Sequence, residues 1–329
     1  MQLTTLGLVV HGGKPEAKEA AEVVRRWVVE RGLKCAELDV WSTEPSSGRL
    51  AAAEEAARAG RPELVVTIGG DGTFLRGARV AAAIGAAVLG VDIGRVGFLT
   101  VVEARDLVAA LDAVVQDRYE IDERLTLTLC ASRPLEIPPG IEALLRYGRG
   151  PALPAPPIRE RVPNDPERGI PLDIHALNDV VFEKLARDRQ ASVEVYVNGK
   201  RFAAYSADAL IVSTPTGSTA YSFAAGGPVL SPALAGLVFT PVAPHMTFDR
   251  SLVLGRTERI AIQVLERSGQ VAVSVDGALH GVLDPGDWVT VHADEEGARL
   301  IRLGEVDFLD RVRLKLGVGD AAAAVADSS

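Results

Sequence analysis

A carboxylate flanked by glycines is the most chemically informative feature of the first half of the sequence. The apolar run Leu64–Ile68 is followed by Gly-Gly-Asp-Gly-Thr at 69–73. Glycines let another molecule approach the backbone closely, and Thr73 is the predicted N-cap of a helix whose free amides can face an anion. Because phosphate and carboxylate repel each other, Asp71 suits a general base beside a hydroxyl, or a ligand of phosphate-bound Mg²⁺. A turn in which Asp71 only caps amides is the alternative.

A loop rich in hydroxyl groups follows an apolar run in the second half. Residues 208–221 read Asp-Ala-Leu-Ile-Val-Ser-Thr-Pro-Thr-Gly-Ser-Thr-Ala-Tyr. The short hydroxyls and Gly217 offer uncharged donors and acceptors to a nucleoside or phosphate, and Tyr221 can stack on a base or bind through its hydroxyl. Upstream, Asn178 and Asp179 can bind sugar hydroxyls. A solvent-facing turn and an Asx cap are the respective alternatives.

Alternating strands and helices in the first 115 residues predict how the first turn is positioned. Short apolar runs separated by helix-like segments are typical of a parallel sheet covered by helices. Ligands of such sheets bind beyond the carboxyl ends of the strands, where a second glycine segment, 89–100, would also lie. We predict strands at Leu6–Val10, Cys35–Val40, Leu64–Ile68 and Ala87–Val91, and helices at 15–31, 49–59, 73–84 and 104–115.

The pattern changes near residue 121 to strand-like alternation punctuated by turn signals such as Asn198-Gly199, which predicts an all-β or β-rich second domain. Strands are predicted at Arg124–Cys130, Val180–Glu183, Ser192–Asn198, Leu210–Ser213, Ser251–Leu254, Arg259–Leu265, Val271–Val275 and Trp288–His292. The ten prolines of 131–172 predict a surface insertion. The predicted organisation is therefore an α/β domain at 1–120, a β-rich domain at 121–298, a segment at 299–316 returning to the first domain, and a disordered tail at 317–329.

Composition excludes several classes of protein. The 329 residues are 47% hydrophobic, enough for sizeable cores, and the net charge of −9 argues against a general nucleic-acid or anionic-membrane binder. Cys35 and Cys130 match no disulfide or zinc pattern. With no signal peptide and no apolar stretch long enough to span a bilayer, a cytoplasmic location is predicted. The P-loop and the dinucleotide fingerprint are both absent from the sequence.

Taken together, these segments resemble the NAD kinase family, whose members phosphorylate the 2′-hydroxyl of the adenosine ribose of NAD. The resemblance covers about 60–310. It rests on GGDGTFLR at 69–76, LGVDIGRVGFLT at 89–100, LNDVV at 177–181, DALIVSTPTGSTAYSFAAGGPVLSP at 208–232, TPVAPH at 240–245 and SVDG at 274–277. GGDGT alone also resembles the turn of diacylglycerol and sphingosine kinases and, more loosely, of phosphofructokinases, whereas TPTGSTAY is specific to NAD kinases.

The resemblance implies a role for each matching residue. Asp71 would be the general base. The phosphate side would be formed by Gly69, Gly70, Thr73 and Arg76. The NAD contacts would be Gly72, Asn178, Asp179, Asp208, Thr219, Ala220, Tyr221, Ala224 and Ala243. No residue is assigned to a metal, although Mg²⁺ or another divalent cation is implied, with ATP or inorganic polyphosphate as donor. The family's NAD pocket lies between the domains and is completed by a neighbouring subunit, so a homodimer or homotetramer is implied.

Three positions depart from the family pattern. Asp179 stands where Glu is usual, Asp92 where Asn is usual, and Ala278 where Gln is common. None is the proposed base, so the departures bear on NAD contacts rather than on the reaction. Two other functions stay open from the sequence, namely a lipid or sugar kinase that shares the GGDGT turn and a catalytically silent NAD-binding sensor.

Overall fold

The computed structural model describes residues 3–41, 48–94, 97–141, 169–185, 190–245, 248–304 and 308–319. The chain divides into two compact units. The first comprises the described parts of 1–38, 56–122 and 299–329, and the second those of 39–55 and 123–298. The predicted disordered tail lies outside the described residues from position 320 onward. No helix in the described ranges is long and apolar enough to cross a membrane.

A parallel sheet forms the core of the first unit. Its strands are β1 (Thr5–Val10), β2 (Lys34–Glu37), β3 (Leu64–Ile68), β4 (Ala87–Asp92), β5 (Val102–Glu103), β6 (Glu120–Arg124) and β19 (Ala298–Arg302). The order is β2-β1-β3-β4-β19-β6, with β5 also on β4, and β1 to β5 and β19 pair in parallel. Strands β3 and β4 are wholly buried, as expected for central strands of a covered sheet.

Most helices of the first unit bury one face, whereas the last of them has no buried residue. The helices are α1 (Pro15–Glu30), α2 (Arg49–Arg58, which crosses the unit boundary), α3 (Asp71–Ala83), α4 (Leu107–Val115) and α6 (Phe308–Leu316). In α1, Pro15 occupies the first turn and small or apolar side chains recur three and four residues apart from Ala17 to Val28, so one stripe is buried. Gly32, with φ of +64°, follows the C-cap and ends the helix.

Two antiparallel six-stranded sheets form the second unit. One has the order β11-β10-β15-β18-β7-β8 and the other β14-β13-β12-β9-β16-β17. The strands are β7 (Leu127–Ala131), β8 (Ile170–Ala176), β9 (Asp179–Lys184), β10 (Ala191–Val197), β11 (Lys200–Ala207), β12 (Ala209–Ser213), β13 (Gly236–Val242), β14 (Leu252–Gly255), β15 (Arg259–Val264), β16 (Val271–Val275), β17 (Ala278–Leu283) and β18 (Trp288–Ala293), with a short helix α5 (Tyr221–Ala224). One apolar cluster draws on both sheets, and within it the rings of Tyr205 and Phe239 meet edge to face at 5.4 Å.

The fold class predicted from the sequence is confirmed, with local differences. The predicted strand Arg124–Cys130 is two strands, because β6 joins the parallel sheet while β7 pairs with β18 in the second unit. Strands β8, β11, β13 and β17 were not predicted. Small residues, prolines or glycines interrupt the alternation in all four. Tertiary pairing overrides weak local propensity here.

The prediction that 131–172 is a surface insertion is wrong at both ends of the segment, because Ala131 ends β7 and residues 170–172 begin β8. Arg133 is buried, and its guanidinium donates to Asp287 Oδ2 at 2.8 Å, to Asp284 Oδ2 at 3.2 Å and to the carbonyl of Val282 at 2.9 Å. Ile141 is also fully buried. A charged side chain in a proline-rich stretch suggested exposure, but two distant aspartates compensate its charge. Residues 142–168 lie outside the described residues.

Replacement of Arg133 by Ala is expected to destabilise the second unit by about 3–5 kcal/mol, because two buried carboxylates lose their counter-charge. Urea denaturation followed by circular dichroism would measure this loss. Arg105→Ala is the matched control. Arg105 pairs with Glu103 at an exposed position, so its removal should cost less than about 1 kcal/mol. Equal effects for the two variants would contradict the structural role of Arg133.

Candidate active site

The carboxylate of Asp71 is held by two backbone amides. Asp71 is the first residue of α3 and directly follows the N-cap, Gly70. Its Oδ2 accepts the N–H of Phe98 at 3.0 Å, and its Oδ1 accepts the N–H of Leu99 at 3.1 Å. The two glycine segments of the sequence are therefore joined by hydrogen bonds at one edge of the parallel sheet. The carboxylate is fixed in orientation from outside its own turn.

Thr73 is not the N-cap that the sequence predicted. The helix begins two residues earlier, Gly70 is the cap residue, and no side chain caps the first-turn amides. Thr73 is instead buried inside the first turn, where its amide donates to the carbonyl of Gly70. Glycine is among the residues accepted at the N-cap position, so the helix can begin directly after Gly70.

The glycines near Asp71, in this turn and at position 97, differ in how much space surrounds them. A Cβ at Gly70 or Gly72 would meet open space, whereas a Cβ at Gly69 would lie 2.4 Å from Thr73 Oγ1 and one at Gly97 only 2.0 Å from Asp71 Oδ1. Gly69 and Gly97 are thus required for packing around the carboxylate. Gly70 and Gly72 leave room beside the backbone at the start of α3, which is the room an approaching ligand needs. Arg76 follows in the next turn of α3 and is partly exposed.

Asp92 organises the second glycine segment. It is buried, and it accepts the amide of Gly94 at Oδ1 (2.6 Å) and the hydroxyl of Thr100 at Oδ2 (3.0 Å). The same hydroxyl accepts the amide of Gly97 at 2.8 Å. Both carboxylate oxygens of Asp92 therefore accept hydrogen bonds from the loop whose Phe98 and Leu99 amides bind Asp71. Asp92 thus has a hydrogen-bond donor at each carboxylate oxygen despite its burial.

In the second unit, the hydroxyl-rich loop is bound to the Asn178-Asp179 segment. Thr214 donates its amide to the carbonyl of Asn178 at 2.9 Å and its hydroxyl to the carbonyl of Leu177 at 2.6 Å. Gly217 is required here, since a Cβ would lie 2.1 Å from the carbonyl oxygen of Asn178. Two segments more than thirty residues apart in sequence thus form one surface.

Asp276 completes this surface, and no role was predicted for it. Its carboxylate accepts the amides of Leu177 (2.9 Å), Asn178 (2.7 Å) and Asp179 (3.2 Å). Its own backbone is left-handed, with φ of +47°, in the Asp-Gly turn between β16 and β17. The Asp-Gly pair was the available sequence signal, but it predicts a turn rather than a partner.

The electrostatics of this surface are unusual. Asp179 is 4% exposed, and burial, together with the negative charge of Asp276, raises its pKa from 3.8 to about 7. Burial also raises the pKa of Glu183. Tyr221 is exposed, and its pKa is raised by partial burial and by the charges of Glu183, Asp208 and Asp179. Three acidic side chains are therefore close enough to Tyr221 to act on its hydroxyl, and one of them, Asp208, is paired with Lys184.

The remaining predicted residues lie around the same loop or at its borders. Asp208 precedes β12 and pairs with Lys184 at 2.5 Å. Thr219 donates its hydroxyl to the carbonyl of Thr216 at 3.2 Å. Ala220 and Ala224 bracket helix α5. Ala243, just after β13, is exposed and holds a left-handed φ of +46°, which is costly for alanine and typical of functional sites.

The described residues contain no group of three or more His, Cys, Asp or Glu side chains that could hold a metal. Mg²⁺ is usually bound through one or two carboxylates together with substrate phosphates. The donor set around Asp71 therefore fits a cation that arrives on phosphates rather than one enclosed by protein ligands.

An α/β unit whose parallel sheet presents a glycine-turn carboxylate, together with an antiparallel β unit carrying a hydroxyl-rich loop, defines the class of protein. A family model described as the ATP-NAD kinase N-terminal domain matches residues 6–119, and one described as the ATP-NAD kinase C-terminal domain matches residues 177–303. "NAD kinase 1" of Streptomyces avermitilis is 58% identical over 327 residues, covering 99% of this chain and 91% of that protein. The NAD kinase of Heliobacterium modesticaldum is 36% identical over 324 residues, covering 96% of this chain and 100% of that protein. The chain belongs to the NAD kinase family, and it is an enzyme.

Solved structures show the same fold at lower identity. Yeast NADH kinase, crystallised with NADH, superposes with a TM-score of 0.74 at 20% identity, covering 97% of this chain and 89% of that one. An NAD kinase from Archaeoglobus fulgidus in complex with ATP gives a TM-score of 0.64 at 19% identity, covering 96% and 99%.

Proposed function

We propose that this NAD kinase transfers a terminal phosphoryl group to the 2′-hydroxyl of the adenosine ribose of NAD, with Asp71 as general base. The main support for this proposal is the position of the Asp71 carboxylate. The amides of Phe98 and Leu99 orient it, and there is open space beside it at Gly70 and Gly72. A fixed carboxylate next to room for a substrate is the arrangement that proton abstraction requires.

In the proposed reaction, Asp71 accepts the hydroxyl proton as the ribose oxygen forms a bond to the terminal phosphorus. The bond from that phosphorus to its bridging oxygen breaks, and the shortened donor leaves. A positioned base typically contributes roughly 10²–10⁴-fold. The amides of residues 70–72 at the start of α3, together with Arg76, would neutralise charge on the phosphates. The divalent cation, bound to the donor phosphates, would supply further charge neutralisation.

NAD would be held by the surface described in the second unit and by Gly72. Asp179 would accept hydrogen bonds from the sugar hydroxyls, and Asn178 would donate hydrogen bonds to them. The exposed Tyr221 ring would stack on a flat part of the ligand. The positions proposed as further contacts are Asp208, Thr219, Ala220, Ala224 and Ala243.

The donor, assembly and location are also proposals. ATP is the default donor, supported by the family name and by the ATP complex of the archaeal relative; polyphosphate is the alternative. We further propose a homodimer or homotetramer acting in the cytoplasm, without nucleic-acid or membrane partners.

An NADP-formation assay tests the proposal. The full-length enzyme would be given ATP or polyphosphate, with NAD or NADH, with and without Mg²⁺. We expect NADP from NAD and ATP, dependent on the metal. Phosphorylation of diacylglycerol or fructose 6-phosphate in place of NAD would indicate a different kinase. NAD binding without product from any donor would indicate a silent sensor.

A further inference from the structure

Arg311, on the C-terminal helix α6, contacts the backbone that orients Asp71. Its Nη1 donates to the carbonyl oxygen of Phe98 at 2.8 Å and to that of Thr100 at 3.3 Å. These carbonyls belong to the same short segment whose amides, at Phe98 and Leu99, bind the Asp71 carboxylate. Arg311 has no counterpart in the sequence motifs, which end well before it.

One peptide group links the two side chains directly. The carbonyl of Phe98 and the amide of Leu99 belong to the same planar unit, so fixing the direction of one fixes the other. Arg311 binds the oxygen of this unit and Asp71 binds its N–H. A cation on the oxygen also polarises the amide, which strengthens its hydrogen bond to the carboxylate.

We propose that Arg311 is a positioning residue for the reaction, acting through the Phe98–Leu99 peptide on the orientation of Asp71. The inference rests on the proposed role of Asp71 as general base. The alternative is purely structural, with Arg311 serving only to anchor α6 to the first unit. The two readings differ in whether the effect of Arg311 passes through the Asp71 carboxylate.

The experiment compares Arg311→Ala with Arg311→Lys in the full-length enzyme. Lysine keeps the positive charge, but its flexible ammonium lacks the planar guanidinium geometry that holds Nη1 between the carbonyls of Phe98 and Thr100. Misplacing a reacting group by about 1 Å can cost roughly 10²-fold in rate. We therefore expect kcat to fall about 10–100-fold in the Ala variant and less in the Lys variant, with KM for NAD changed less than about threefold. Arg313→Ala, an exposed cation on the same helix, should match the unmodified enzyme.

Combination with Asp71→Asn separates the readings. If Arg311 acts through the carboxylate, adding Arg311→Ala to Asp71→Asn should lower kcat by less than about threefold more. An additional loss as large as that of the single Ala variant would overturn the proposal. So would an unchanged kcat per folded enzyme, with folding monitored by circular dichroism. Failure of the proposed base is distinguishable, because Asp71→Asn alone would then stay active.

Discussion

Asp71→Asn is expected to lower kcat for NADP formation by roughly 10²–10⁴-fold while leaving the fold and NAD binding intact. Asparagine matches aspartate in shape, and its carbonyl oxygen can still accept one of the amides of Phe98 and Leu99. Its NH₂ group has no lone pair for the other amide and cannot take a proton from the ribose hydroxyl. Initial rates with ATP and saturating NAD measure the loss, and isothermal titration calorimetry measures the NAD dissociation constant.

Asp106→Asn is the control for this variant. It makes the same chemical change in the first unit, on a side chain that is 64% exposed. Its kcat should equal that of the unmodified enzyme. A loss below tenfold in Asp71→Asn would contradict the base assignment. A large loss of NAD affinity in Asp71→Asn would assign the residue to binding instead.

Asp179→Asn is expected to stabilise the second unit at pH 8. The pKa of Asp179 is about 7 in the folded protein, against 3.8 for an ordinary aspartate. The folded state therefore holds this proton more tightly than the unfolded state, and stability is lost as the pH rises from about 4 to about 7. A shift of this size corresponds to roughly 4 kcal/mol. Asparagine is neutral at every pH and escapes the loss.

Urea denaturation at pH 5 and at pH 8 measures the effect. The free energy of unfolding of Asp179→Asn should exceed that of the unmodified protein at pH 8, and the difference should shrink at pH 5. Asp208→Asn is the control, because Asp208 is 41% exposed and paired with Lys184, so its removal should cost less than about 1 kcal/mol. An Asn variant that retains the same dependence on pH would contradict the raised pKa.

The same substitution is expected to weaken NAD binding, because the ionised carboxylate is the proposed acceptor for the sugar. A stabilising change that costs function is the usual signature of a binding site built from buried charge. In the unmodified enzyme, NAD affinity should improve as the pH rises through about 7, where Asp179 becomes ionised. This slope should be absent in Asp179→Asn, as followed by calorimetry.

Local patterns determined much of this protein from sequence alone. Apolar runs and helical spacing give the parallel sheet, since side-chain periodicity is a local property of each element. The glycine turn at 69–73 and the hydroxyl loop at 214–221 each follow a strand, so their positions on the fold were also predictable. The family resemblance rested on these same segments.

The orientation, burial and ionisation of the site groups depended on the tertiary structure. The amides that orient Asp71 come from Phe98 and Leu99, and backbone donors have no sequence signature. Arg133 is buried because Asp284 and Asp287 are brought to it. The pKa of Asp179 is raised because packing buries its carboxyl and because Asp276, nearly a hundred residues away in sequence, is brought close to it. Charge, burial and hydrogen-bond direction depend on partners far along the chain. Sequence patterns therefore identified the chemical groups, whereas tertiary packing determined their ionisation states and the orientations of their side chains.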